Sequence, residues 1–90
     1  MGIDVECRRS ISRALMERVC CREELSVIEA AEDAEMEFLR LWTQKEALLK
    51  CTGAGIRDDM RDILVENVKY QIITEELPAV EGFVSVCCLG

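Results

Sequence analysis

Apolar and polar residues alternate over the first seven positions and then recur every three or four, so the chain begins as a strand and continues as helices. Met1 to Cys7 reads as a short strand, with Asp4 and Glu6 projecting from one face. Ser10 to Val19 reads as a helix capped by Ser10, with Ile11, Ala14, Leu15 and Val19 on one side. Arg22 to Ala31 is a second short helix with Leu25 and Ile28 inward. The principal helix, about Ala34 to Cys51, carries a broad apolar stripe of Phe38, Leu41, Trp42, Ala47, Leu48 and Leu49.

Thr52-Gly53-Ala54-Gly55 ends that helix, because glycine tolerates the left-handed conformation of a helix stop. Asp58 to Leu64 adds a helical turn or an irregular link. Val68 to Glu75 reads as a strand, Pro78 to Gly82 as a turn and Phe83 to Leu89 as a last strand. The expected fold is α+β: a small antiparallel sheet packed against a helical block, all within one domain over residues 1–90.

Composition narrows the classes of function. A 90-residue chain buries only a little over about 60% of its unfolded surface, so self-association is expected to supply cover for the sheet and for the helix face around Trp42. A net charge of −7 argues against nucleic acid as a partner. That charge is uneven: Arg8, Arg9, Arg13, Arg18 and Arg22 lie near the start, whereas Glu23 to Glu37 holds only acids among its charged residues. An acidic partner is drawn to the arginine end, although both runs read equally as solvated helix faces.

Six cysteines without histidine, two pairs of them adjacent, suit neither a zinc site nor a disulfide framework. They read as small buried apolar residues in a reducing cytoplasm. No apolar run reaches the roughly 20 residues that span a bilayer, so a soluble protein with no membrane partner is expected.

The chemistry lies in Asp4, Glu6, Lys45, Glu46 and Lys50. Two carboxylates side by side on a strand offer hard oxygen ligands, which suits magnesium, and Glu46 adds a third if the helix packs on the strand. Lys45 and Lys50 would then neutralise phosphate oxygens. The plainer reading is that Glu46 and Lys50 form an i,i+4 pair worth about 0.2 to 0.5 kcal/mol on any exposed helix.

Gly2-Ile3-Asp4-Val5-Glu6, followed by Leu41-Trp42-Thr43-Gln44-Lys45-Glu46-Ala47-Leu48-Leu49-Lys50 and Gly53-Ala54-Gly55, resembles the signature of the 4'-phosphopantetheinyl transferases of the surfactin-synthetase-activating type. Arg18 to Leu25 resembles the family's R-F-F-x-x-x-E segment, with Val19 and Cys20 in place of its aromatics, and Gly82 to Cys87 resembles its last core strand. The resemblance implies transfer of the phosphopantetheine arm of coenzyme A to a serine of an acyl or peptidyl carrier protein. It implies Asp4, Glu6 and Glu46 as magnesium ligands, with Glu46 also the base for the serine. Lys45 and Lys50 are implied to contact the pyrophosphate, and Lys50 to assist the leaving group. Glu24 is implied in a supporting role and Trp42 in packing. Gly53 and Gly55 are implied to shape the turn, with coenzyme contact as a lesser role.

The likeness extends to the second, C-terminal half of the larger members only, making the chain one half-unit of that fold. Apolar residues expected ahead of Gly2 are missing, as though Met1 marked a late start. Either the chain is an active enzyme, with the cleft rebuilt by a homodimer or homotrimer or with the chain as the catalytic half of a longer product, or it is a truncated or degenerate half-domain that folds and self-associates without catalysis.

Overall fold

The computed structural model describes residues 1–53 and 60–89. Strand β1 (Gly2–Cys7) is followed by helices α1 (Arg13–Val19), α2 (Arg22–Ala30), α3 (Ala34–Thr52) and the single turn α4 (Ile63–Glu66). Strands β2 (Tyr70–Leu77) and β3 (Gly82–Leu89) complete it, joined by a 3-10 turn at Pro78–Val80. The three strands form an antiparallel sheet in the order β1-β3-β2, so β3 is central and α3 lies across one face. The α+β expectation of a small antiparallel sheet against helices holds among the described residues.

Local chemistry accounts for the boundaries. The cap of α1 is Ser12, not Ser10: its Oγ accepts from the Leu15 N–H at 3.1 Å. Starting there places Ile11 just ahead of the cap, packed on the cluster that contains Met16, which fixes the entry of the chain. The helix is thereby turned, so that Met16 and Val19 are buried while Ala14 is exposed. Asp33 caps α3 by accepting from the Met36 N–H, and Gly53 closes it at φ 73° with its N–H on Leu49 O at 3.0 Å. Strand β2 begins two residues later than the pattern predicts and runs two residues further, because its pairing with β3 continues from Tyr70 to Leu77. Of the expected link at Asp58 to Leu64, the first two residues lie outside the described residues, and a one-turn helix follows from Ile63.

Two apolar clusters meet along α3. Met16, Val19, Cys20, Ile28, Phe38 and Leu41 fill the space toward α1 and α2. Ala47, Leu48, Leu49, Met60, Ile63 and Cys87 fill the space toward the sheet. Trp42 touches both and stacks on Phe38 at 5.8 Å between centroids. The helix face around Trp42 is thus packed in part by the chain's own residues, with Trp42 itself half-buried. The cysteines divide: Cys20 and Cys87 are buried, Cys21, Cys51 and Cys88 half-buried, and Cys7 exposed, so the buried-apolar reading fails for Cys7.

The approach of α3 to β1 depends on Gly2. A β-carbon at that position would collide with the Ala47 carbonyl oxygen and stand 2.5 Å from Cys51 N. Only a bare backbone lets the second half of α3 settle onto the strand. Gly2→Ala must push the two apart, an overpacking typically costing about 1 to 3 kcal/mol. We expect its urea midpoint to fall with an unchanged denaturant slope, and a midpoint equal to that of the parent chain would show that the contact is not tight.

Candidate functional site

The sheet face under α3 carries rows of side chains set by strand register. Gly2 pairs with Cys87, Asp4 with Ser85 and Glu6 with Phe83, while Thr74 lies across from Ser85 on the other side. Asp4, Ser85 and Thr74 thus form one polar row across three strands. The two hydroxyls of that row are tied to the helix: Ser85 donates to Thr43 Oγ1 at 2.9 Å, Thr43 donates to Arg40 O at 2.8 Å, and Gln44 donates to Thr74 Oγ1 at 3.0 Å. Thr74 and Ser85 share a further bond at 2.9 Å. This network holds α3 at fixed rotation over the sheet.

At the β1 end of the row, Asp4 is only 7% exposed. Lys50, one turn beyond Glu46 on α3, donates from Nζ to Asp4 Oδ1 at 2.9 Å and to Ile3 O at 3.1 Å. The bond to Asp4 raises the Lys50 pKa above the ordinary lysine value. Asp4 Oδ2 is buried and has no donor among the described residues. The Glu6 carboxyl lies beside it, and burial, followed by the contact with Asp4 and its charge, pushes Glu6 up to about 7. A proton kept on Glu6 would donate to Asp4, but with both ionised the oxygen is orphaned. Glu46 is also raised, first by burial and then by the charge of Asp4, against the opposing pull of Lys50 and Arg9.

The structure therefore brings Asp4, Glu6, Glu46 and Lys50 to one corner between β1 and α3. Among the described residues, no three such ligands already stand at metal-holding distance. The donor set nonetheless fits a hard divalent cation: all its ligands are oxygens, one of them buried and undonated, and the carboxylates repel one another in its absence.

Lys45 is not part of this corner. Its side chain is fully buried, and its ammonium donates to Val19 O at 2.5 Å, Glu24 Oε1 at 2.6 Å, and Met60 O and Arg61 O at 3.0 Å each. Lys45 sits on the opposite side of α3 from Lys50 because five positions advance a helix by well over one turn. Lys45 is the tie between α1, α3 and the chain leading into α4. Glu24 is the other half of that tie, and it also accepts from the Cys21 N–H at 2.9 Å to start α2. Gly53 contributes its left-handed cap, and Gly55 lies outside the described residues.

Arg9 is the residue that sequence reasoning passed over. Its guanidinium stands 3.6 Å from Glu6 Oε1, and its charge opposes the upward shift of Glu6 and Glu46 without reversing it. The signal was available, since Arg9 lies three residues after Glu6, two residues past the strand. Two of the other arginines are paired within the chain. Arg8 is held by Asp33, Glu35 and Glu81, and Arg13 by Glu17 and Glu29, so much of the arginine end is neutralised from within. A groove of about 710 Å³ there, lined by residues including Arg13, Glu17, Cys21 and Glu29, is of mixed charge and distinct from the carboxylate corner.

A family model for the 4'-phosphopantetheinyl transferase superfamily matches residues 1–85. The chain belongs to that superfamily. It is also similar to the 4'-phosphopantetheinyl transferase psf-1 of Bacillus pumilus, with 40% identity over 58 residues. That match takes in 62% of this chain and 25% of the relative, so the chain corresponds to about a quarter of the relative's length. For a superfamily member, the corner between β1 and α3 is the natural place to look for chemistry, since it joins the two motifs that carry the resemblance. No helix among the described residues is long and apolar enough to cross a membrane.

Lys45→Met leaves Glu24 and several carbonyls buried without their donor, a change typically worth about 3 to 5 kcal/mol. We expect a large loss of stability in urea denaturation without any change in the carboxylate corner. A Lys45→Met chain as stable as its parent would contradict the structural role.

Proposed function

We propose that this chain carries the catalytic corner of a phosphopantetheinyl transferase of the surfactin-synthetase-activating type. It would move phosphopantetheine from coenzyme A to a serine of an acyl or peptidyl carrier protein in the cytoplasm, releasing adenosine 3',5'-bisphosphate. The observation that supports this most is the buried Asp4, with its undonated oxygen, set between Glu6 on its own strand and Glu46 and Lys50 on α3. Asp4, Glu6 and Glu46 would hold magnesium, whose chemistry is to neutralise charge on the diphosphate.

The other roles belong to the chain's own side chains. Glu46, made more basic by burial and by Asp4, takes the proton of the carrier's serine directly or through a water. Lys50, half exposed at the last turn of α3, reaches the diphosphate and steadies charge on the departing oxygen. Gly2 keeps strand and helix close enough for the two sets of groups to act on one substrate, so positioning and electrostatics carry the rate. Contact of coenzyme A with Gly53 or Gly55 rests on the resemblance alone.

We read the chain as one half-unit of the superfamily fold, working as a homodimer or homotrimer or as part of a longer product. The face of the sheet away from α3 supports association: Ile3, Val5 and Ile73 are 51%, 52% and 65% exposed, flanking the half-buried Val84 and Val86 of β3. The same face, together with the small share of the relative that is matched, supports a second reading in which the chain folds and self-associates but catalyses nothing.

Incubating the chain with coenzyme A, magnesium and an apo carrier protein separates the two readings by mass spectrometry. We expect a phosphopantetheine mass gain on the carrier, with Glu46→Gln slowing it by at least about 100-fold while leaving the circular dichroism unchanged. No gain across several carriers would leave the non-catalytic reading standing. For association, light scattering at micromolar concentration is expected to give a dimer or trimer that Ile73→Lys drives toward monomer. A parent chain that is monomeric throughout would remove the oligomer from the proposal.

A further inference from the structure

Lys50 occupies the place where a divalent cation would have to compete. Its ammonium is folded back onto β1, bonded to Asp4 Oδ1 at 2.9 Å and to Ile3 O at 3.1 Å, although the side chain is 52% exposed. Asp4 is itself buried, and its other oxygen has no donor. Glu6 stands beside Asp4 on the strand, Glu46 faces it from α3, and Arg9 faces Glu6 from the end of β1. Among the described residues, Lys50 is thus the cation in direct contact with Asp4, in a corner that holds three carboxylates.

A cation drawn onto Asp4 brings a double positive charge within a few ångströms of that ammonium, and at such separations the repulsion is not screened away. Lys50 can leave at little cost, because its four-carbon stem is flexible and half in water. Its Cα stays fixed at the last turn of α3, so the released ammonium remains beside the corner and is free to meet an anion.

We propose that Lys50 is the resident counter-ion of Asp4 and is exchanged for a divalent cation during loading, passing to the diphosphate of the substrate as the cation takes its place. The identity of the anion rests on the transferase reading above; the exchange between Lys50 and cation does not. Cation and anion then load cooperatively through one side chain: each is weakened alone by the Lys50–Asp4 pair, and each removes that obstacle for the other.

The test uses manganese(II) as the probe, with the full chain, without coenzyme A, followed by titration calorimetry or by loss of the free-ion spin-resonance signal. Lys50→Met, and Lys50→Gln as a second variant at the same half-exposed position, are expected to bind about ten times more tightly than the parent, within the usual range of such couplings. Arg9→Gln removes an equal charge near Glu6 without touching Asp4, and is expected to gain much less. Equal gains at Arg9 and Lys50 would reduce the effect to overall charge and overturn the exchange. Parent and Lys50 variants of equal affinity would overturn it while leaving the transferase reading intact. Manganese binding to none of them would sink both the exchange and the metal ligands assigned above. In parallel, magnesium should shift the side-chain ammonium resonance of Lys50 and leave that of the buried Lys45 in place; a stationary Lys50 in the loaded protein would count against the exchange.

Discussion

The structure turns on a backbone-to-backbone contact. Gly2 of β1 lies directly beneath Ala47 and Cys51 of α3, with no room for a side chain between them. Every group of the corner is placed relative to this contact: Asp4 and Glu6 are two and four residues along the strand, and Glu46 and Lys50 flank Ala47 and Cys51 on the helix. The Thr74-Ser85-Thr43 hydroxyl network fixes the rotation of the helix about the same point. Distance is set by the glycine and angle by the hydroxyls.

The corner is also a place where stability is given up. The buried Asp4 and the half-buried Glu6 and Glu46 would relax apart in a molecule held only by that surface, yet they remain because the apolar clusters on either side and the Lys45 tie hold α3 from elsewhere. Lys45 and Lys50 show how one helix divides two jobs between like residues. One ammonium is saturated by fixed acceptors and dry, whereas the other is half in water and has partners that a ligand can replace.

Much of this was legible in the sequence, for physical reasons that differ from residue to residue. Period-two alternation put Asp4 and Glu6 on one face of β1, and the apolar stripe of α3 required it to pack on the sheet. Ser12 was missed because two serines compete for one cap, and the choice depends on where Ile11 finds apolar contact. The role of Lys45 was not legible at all: spacing gives its direction from the helix axis but not that carbonyls of Val19, Met60 and Arg61 converge there. Glu24 became intelligible only with Lys45. Arg9 was visible as a charge near Glu6, and only the path of the chain after β1 sets its guanidinium beside that carboxylate.

Among the described residues, both outer strands of the sheet have an unpaired edge, since β3 is the strand flanked on two sides. The two edges are unlike. On β2, Glu75 and Glu76 stand exposed side by side, and Pro78 follows directly after the strand. Lateral addition of a second copy there would set like charges against each other and meet a residue with no amide hydrogen to give. On β1, the Ile3 carbonyl is already occupied by Lys50. Growth of the sheet sideways into an endless ribbon is thereby discouraged at both margins, which leaves the face exposing Ile3, Val5 and Ile73 as the apolar surface of the sheet still open to contact.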